Sequence, residues 1–140
     1  MIRTLSRMSQ PSLRVTSVTI ATPDPRRLAA FYAHLLDRPV TAEEGPRPDE
    51  PEPAGWAQIR TAGEITLNFE YEAQWIEPTW PSEPERQHAT EHLDIAVADL
   101  DAAVAHAAAV GARLAEVQPQ DHVRVMFDPD GHPFCLFQSD

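Results

Sequence analysis

Residues 92–112 read HLDIAVADLDAAVAHAAAVGA. Leu93, Ile95 and Val97 alternate with His92, Asp94 and Ala96, the pattern of a half-buried strand. The alanine-rich run that follows predicts a helix entered near Asp99 and stopped at Gly111. An earlier stretch, residues 17–36, SVTIATPDPRRLAAFYAHLL, has the same order. Val18 and Ile20 alternate with Ser17, Thr19 and Ala21. Leu28, Phe31, Tyr32 and Leu35 then recur at helical spacing behind Asp24 and Pro25 at the cap.

Superposing the two stretches at an offset of 75 residues pairs Ser17 with His92 and Asp24 with Asp99. The chain repeats itself. Behind the first helix lie the strand candidates RPVTAEE, GWAQIRTA and EITLNFEYE; behind the second lie ARLAEVQ, VRVMFD and HPFCLFQS. In EITLNFEYE, alternation sends Ile65, Leu67 and Phe69 toward the helix and Thr66, Asn68 and Glu70 to the opposite face. Each half is predicted as strand, helix and three strands, giving an α+β fold of two paired βαβββ modules.

With 140 residues, 42% of them hydrophobic, the expected organisation is one domain over 15–140 behind a flexible tail, 1–14. Module one is placed at 15–72, a linker at 73–89 and module two at 90–139. Two proline-rich acidic pieces punctuate the repeat. EEGPRPDEPEPAG (43–55) reads as a loop between strands, and WIEPTWPSEPERQHATE (75–91) as the inter-module connection. The second carries Trp75 and Trp80, at least one of which is expected to pack over the sheet or a pocket mouth. DPDGHPF (128–134) reads as a tight turn with Gly131 at positive φ, leading into the last strand.

A net charge of −11 argues against nucleic acid, which needs a basic surface. No apolar run approaches the roughly 20 residues of a membrane span, and the N-terminal residues lack the apolar core of a secretory signal. One cysteine, Cys135, cannot form an internal disulfide, so a reducing, cytoplasmic setting is expected.

The two modules, the segment FYAHLLDRPV, the HLDIAVADLDAAV start and the terminal DPDGHPFCLF together resemble the vicinal oxygen chelate superfamily. This superfamily includes glyoxalase I, extradiol dioxygenases, fosfomycin-resistance enzymes and bleomycin-binding proteins. The resemblance covers about residue 15 to the C-terminus. It implies a mixed sheet curled around a cavity, frequent homodimers, and in catalytic members a divalent metal. The metal would sit on the first and last strand of each module, which here carry Ser17, Asn68, His92 and Cys135.

Serine and a neutral amide are weak ligands, and a thiolate is too soft for most hard divalent ions. No cofactor is therefore expected. The alternative is a divalent metal at a rearranged site of His92, Glu70 and Cys135, with Asp94 beside them, serving a glyoxalase- or dioxygenase-type enzyme. The leading expectation is a cavity for a small organic molecule. Its lining would be Ser17, Thr19, Trp56, Gln58, Asn68, Glu70, His92, Asp94, Cys135 and Phe137.

Overall fold

The structure, a computed structural model, describes residues 10–63 and 65–139. The expected tail therefore falls largely on residues outside the described ones. Ten elements follow in chain order. The first half holds β1 (Ser17–Thr22), α1 (Pro25–Leu36), β2 (Ala42–Glu44), β3 (Trp56–Arg60) and β4 (Thr66–Tyr71). The second holds β5 (Leu93–Val97), α2 (Leu100–Ala109), β6 (Arg113–Leu114), β7 (Val123–Phe127) and β8 (Pro133–Gln138).

Each half builds its own four-stranded mixed sheet, ordered β1-β4-β3-β2 and β5-β8-β7-β6. The first strand pairs with the last in parallel and the rest are antiparallel, identically in both. This is the α+β pair of βαβββ modules read from the 75-residue offset. The offset extends to hydrogen bonds. The Asp24 carboxylate accepts from the Arg27 amide at 3.3 Å, and the Asp99 carboxylate from the Ala102 amide at 3.1 Å. Both caps satisfy a helix-end donor that otherwise has no partner.

Some boundaries moved. β2 takes only the end of RPVTAEE and already includes Glu43 and Glu44, so the loop expected at 43–55 begins after them. β6 is two residues long. Ile65 does not join its neighbours Leu67 and Phe69 in the core; it lies before β4 and is exposed, because the strand begins only at Thr66.

The two modules share one core. Leu28, Phe31, Tyr32, Ile59, Leu67 and Phe69 from the first meet Ala107, Met126, Phe134 and Leu136 from the second. The Phe134 ring lies 6.2 Å from those of both Phe31 and Tyr32. Helices thus fill the space between the sheets, and the faces turned away from the helices lie open.

Polar contacts tie the seam together at the turn between β7 and β8. The buried Asp128 carboxylate accepts from the Tyr32 hydroxyl (2.7 Å), from the Asp130 and His132 amides (3.0 Å each) and from His132 Nδ1 (2.8 Å). His132 Nε2 lies 2.8 Å from the Ala21 carbonyl on β1. The Thr22 hydroxyl donates to Asp130 at 2.6 Å and accepts from the Asp24 amide at 3.0 Å. Gly131 has φ 94°, as the turn requires, with the Glu77 side chain against it.

The linker is anchored at its two tryptophans. The Trp75 ring lies 4.8 Å from the His132 ring, and Trp80 meets Phe127 edge-on at 6.1 Å. Trp80 packs against the buried cluster of Ala115, Val125 and Phe127, which Cys135 also borders. Both tryptophans are half-buried, so the connection is a strap rather than a free tether.

Candidate functional site

The candidate residues divide between the two open faces because side chains alternate along each strand. On the first sheet, Ser17 and Thr19 stand on β1, Trp56 and Gln58 on β3, and Asn68 and Glu70 on β4. Gln58 lies directly opposite Asn68, and its Nε2 donates to the Asn68 Oδ1 at 2.9 Å. Glu70 is exposed between Ala21 and Trp56 in register. This face offers amides and hydroxyls, with Glu70 its one ionisable candidate.

On the second sheet, Asp94 stands opposite Cys135, and Phe137 lies two residues on. His92 precedes β5 and reaches Asp94, with Nε2 3.3 Å from the carboxylate oxygen. Ligand atoms of His92, Asp94 and Cys135 all lie within 4.8 Å of one another. His92 and Asp94 side chains are 51% and 61% exposed, and Cys135 is half-buried. Burial pushes the Cys135 thiol pKa up, and the charge and hydrogen bonding of Asp94 push it the same way. The thiol is therefore protonated at neutral pH unless a cation replaces that proton.

Clefts flank these faces. One of about 540 Å³ runs beside β1, from Val18 to Ala21, and is walled by Trp75, Ile76, His88, His92 and His132. A smaller one, about 330 Å³, lies under the strap between Trp80, Arg113, Ala115 and Phe127. The Arg113 guanidinium sits 4.6 Å over the Phe127 ring.

Comparison with known proteins follows the same architecture. The family model described as "Glyoxalase-like domain" matches residues 17–137, from the first residue of β1 nearly to the end of β8. The chain belongs to the glyoxalase-like domain family. Among solved structures, this glyoxalase-like domain is similar to FosX, the fosfomycin resistance protein of Listeria monocytogenes, in its complex with Mn(II) and sulfate. The identity is 14%, the TM-score 0.66, and 94% of this chain and 95% of that chain are covered. It is also similar to TnmS3, an antibiotic-binding protein of Streptomyces sp. CB03234 (18% identity, TM-score 0.60, 94% and 99% covered). A third is a glyoxalase family protein of Enterococcus faecalis (21%, 0.64, 89% and 97%). At these identities the likeness shows the fold. No curated protein matches the chain.

A hard divalent ion held jointly by the two modules does not fit the donors present in this glyoxalase-like domain. Ser17 is neutral, and the Asn68 carbonyl is already engaged by Gln58. The second module alone gathers nitrogen, oxygen and sulfur donors, a set suited to a thiophilic ion. Its carboxylate is Asp94, not Glu70, which the topology places on the other sheet.

The seam at Tyr32, Asp128 and His132 was not legible in the sequence. DPDGHPF carried the signature of a turn, and nothing local shows that its acidic and imidazole groups meet the opposite module. The one available hint was an acidic residue directly behind the apolar run VRVMF.

Proposed function

We propose that this domain binds a small organic molecule on the open faces of its two sheets, without a hard divalent metal. The observation that supports this best is Asn68, a neutral amide paired with Gln58 at a position where the family resemblance puts a metal ligand. Hydroxyls and amides of Ser17, Thr19, Gln58 and Asn68 would orient polar groups of the ligand. Trp56 and Phe137 would supply apolar contact, and Glu70, His92 and Asp94 would favour a neutral or cationic compound. TnmS3, described as antibiotic-binding, has the same fold and supports the reading by analogy.

We further propose that the binding unit is a homodimer. The Thr16 carbonyl just before β1 and the Thr22 carbonyl at its end accept from Thr66 at the start of β4 and Glu72 just after it, so Ser17 and Thr19 turn their backbone groups to the outer edge, where His132 already takes the Ala21 carbonyl. In β5 the Val97 carbonyl accepts from Ser139, which turns Asp94 and Ala96 outward likewise. Among the described residues each edge strand has one strand neighbour. Pairing β1 of one copy, up to Thr19, with β5 of another would extend both sheets and set a first-module face beside a second-module face. A cytoplasmic setting suits the one thiol. Among the described residues, no helix is long and apolar enough to cross a membrane.

The second reading, an enzyme of glyoxalase or dioxygenase type, rests on the His92, Asp94 and Cys135 cluster. There His92, Asp94 and Cys135 would hold a thiophilic ion, which would supply Lewis-acid chemistry.

Elemental analysis separates the two. The purified protein should carry well below one equivalent of manganese, iron, nickel or zinc, and a chelator should leave its melting temperature in place. One tightly held equivalent would instead favour the enzyme. A thermal-shift screen of small organic compounds should then supply a ligand for calorimetry. His92→Ala should weaken that ligand by roughly 1–3 kcal/mol through the lost polar contact while changing stability by less than about 1 kcal/mol. Unchanged affinity would remove His92 from the site.

A further inference from the structure

His132 occupies a position that neutral imidazole cannot satisfy. Its Nδ1 faces the Asp128 carboxylate and its Nε2 faces the Ala21 carbonyl, so both ring nitrogens point at acceptors that have no proton to give. A neutral ring has one N–H and would set a lone pair against one of these oxygens. The imidazolium donates to both. The two acceptors lie on opposite sides of the seam, Asp128 on the β7–β8 turn of module two and Ala21 on β1 of module one. Trp75 of the inter-module strap packs on the same ring.

We propose that residues 128–132 form a proton-operated clasp between the two modules, closed while His132 carries both ring protons and slackened when one is lost. Asp128 is anionic and buried, so the remaining proton stays on Nδ1 and the contact that fails is the one to Ala21. Among the described residues, the side-chain hydrogen bonds then left holding module one at this turn are Tyr32 on Asp128 and Thr22 on Asp130. The seating of β1, and with it of the strap and the two candidate ligand faces, thus becomes dependent on pH. The proposal stands whether or not those faces bind a ligand.

The charged surroundings support the direction. Burial works against the charged ring, but the Asp128 hydrogen bond and charge, the Ala21 carbonyl and the Asp130 charge together raise the His132 pKa above the ordinary value. Tyr32 and Arg27 on α1 and Glu77 on the strap against Gly131 are the other ionisable groups the structure places at this turn. His88, Glu91 and His92 share the neighbouring cleft. A folded-state pKa raised above the unfolded one stabilises fully below about 6.5, and the contribution is lost as pH rises through the folded value.

The test uses the full chain, with ring-nitrogen NMR of His132 and melting temperature against pH. His132 should titrate above about 6.5. The melting temperature should fall by about 3–5 °C as the ring deprotonates. Asp128→Asn provides the control, because its oxygen still accepts the two turn amides while its NH2 donates to a neutral Nδ1, leaving Nε2–H on Ala21. In that variant the His132 pKa should drop below the ordinary value and the fall in melting temperature over this range should vanish. A wild-type His132 titrating at or below 6.5 would overturn the clasp. So would an Asp128→Asn protein with the wild-type pH slope. Should the variant fail to fold, the wild-type titration decides alone.

Discussion

Asp128→Ala should lower the unfolding free energy by about 3–5 kcal/mol, the range for removing one partner of a buried charged pair. Chemical denaturation monitored by tryptophan fluorescence would measure it, since Trp75 packs on the neighbouring His132 ring. The size follows from how many donors one carboxylate serves. Alanine leaves the Tyr32 hydroxyl, two turn amides and the His132 Nδ1 without their acceptor around a buried carboxylate site. Each buried donor left unpaired carries a desolvation cost. Burial already pushes the Tyr32 hydroxyl pKa well up, and the Asp128 charge adds to it, so this phenol stays protonated as a donor. A loss under about 1 kcal/mol would mean that water reaches the turn and that the seam is held by apolar packing alone.

Phe134→Ala should cost a similar amount, about 3–5 kcal/mol, through the cavity left behind. Phe134 is fully buried and meets Phe31 and Tyr32 across the module boundary, so the void opens where the two halves join. Phe137, three residues on, faces the opposite side of β8 and is half-exposed. Phe137→Ala should therefore cost under about 1 kcal/mol. Denaturation of the two variants side by side checks the pair. Equal losses would contradict the placement of the two faces of β8. The protein should unfold in one transition, because the core is shared; separate transitions would show modules that melt independently.

The repeat was legible because it is local. Alternation in HLDIAV and SVTIAT, Asp99 and Asp24 as caps, and helical spacing through Leu28, Phe31 and Tyr32 each follow from neighbours within a few residues. The 75-residue offset then carried topology, since a repeated pattern implies a repeated pairing. Segment ends were less legible. Arg38 to Thr41 and Ala115 to Gln118 look like strand by composition but are not, because the ends of β2 and β6 are set by their partners β3 and β7.

The candidate residues show the same division. The alternation of Asn68 and Glu70 with Leu67 and Phe69 assigns a face, yet it cannot tell which neighbour that face meets. Gln58 and Asn68 lie ten residues apart, and the register of β3 on β4 brings them together; Asp94 meets Cys135 across 41 residues of chain. The parallel β5–β8 pairing made the His92, Asp94 and Cys135 cluster, and the same topology keeps Glu70 from it. Tyr32, Asp128 and His132 go further, joining α1 to a turn 96 residues away. Periodicity and capping are short-range properties of the chain and survive in any context. Strand register and the seam between modules depend on which buried surfaces fit against one another, and that is decided only when the whole core closes.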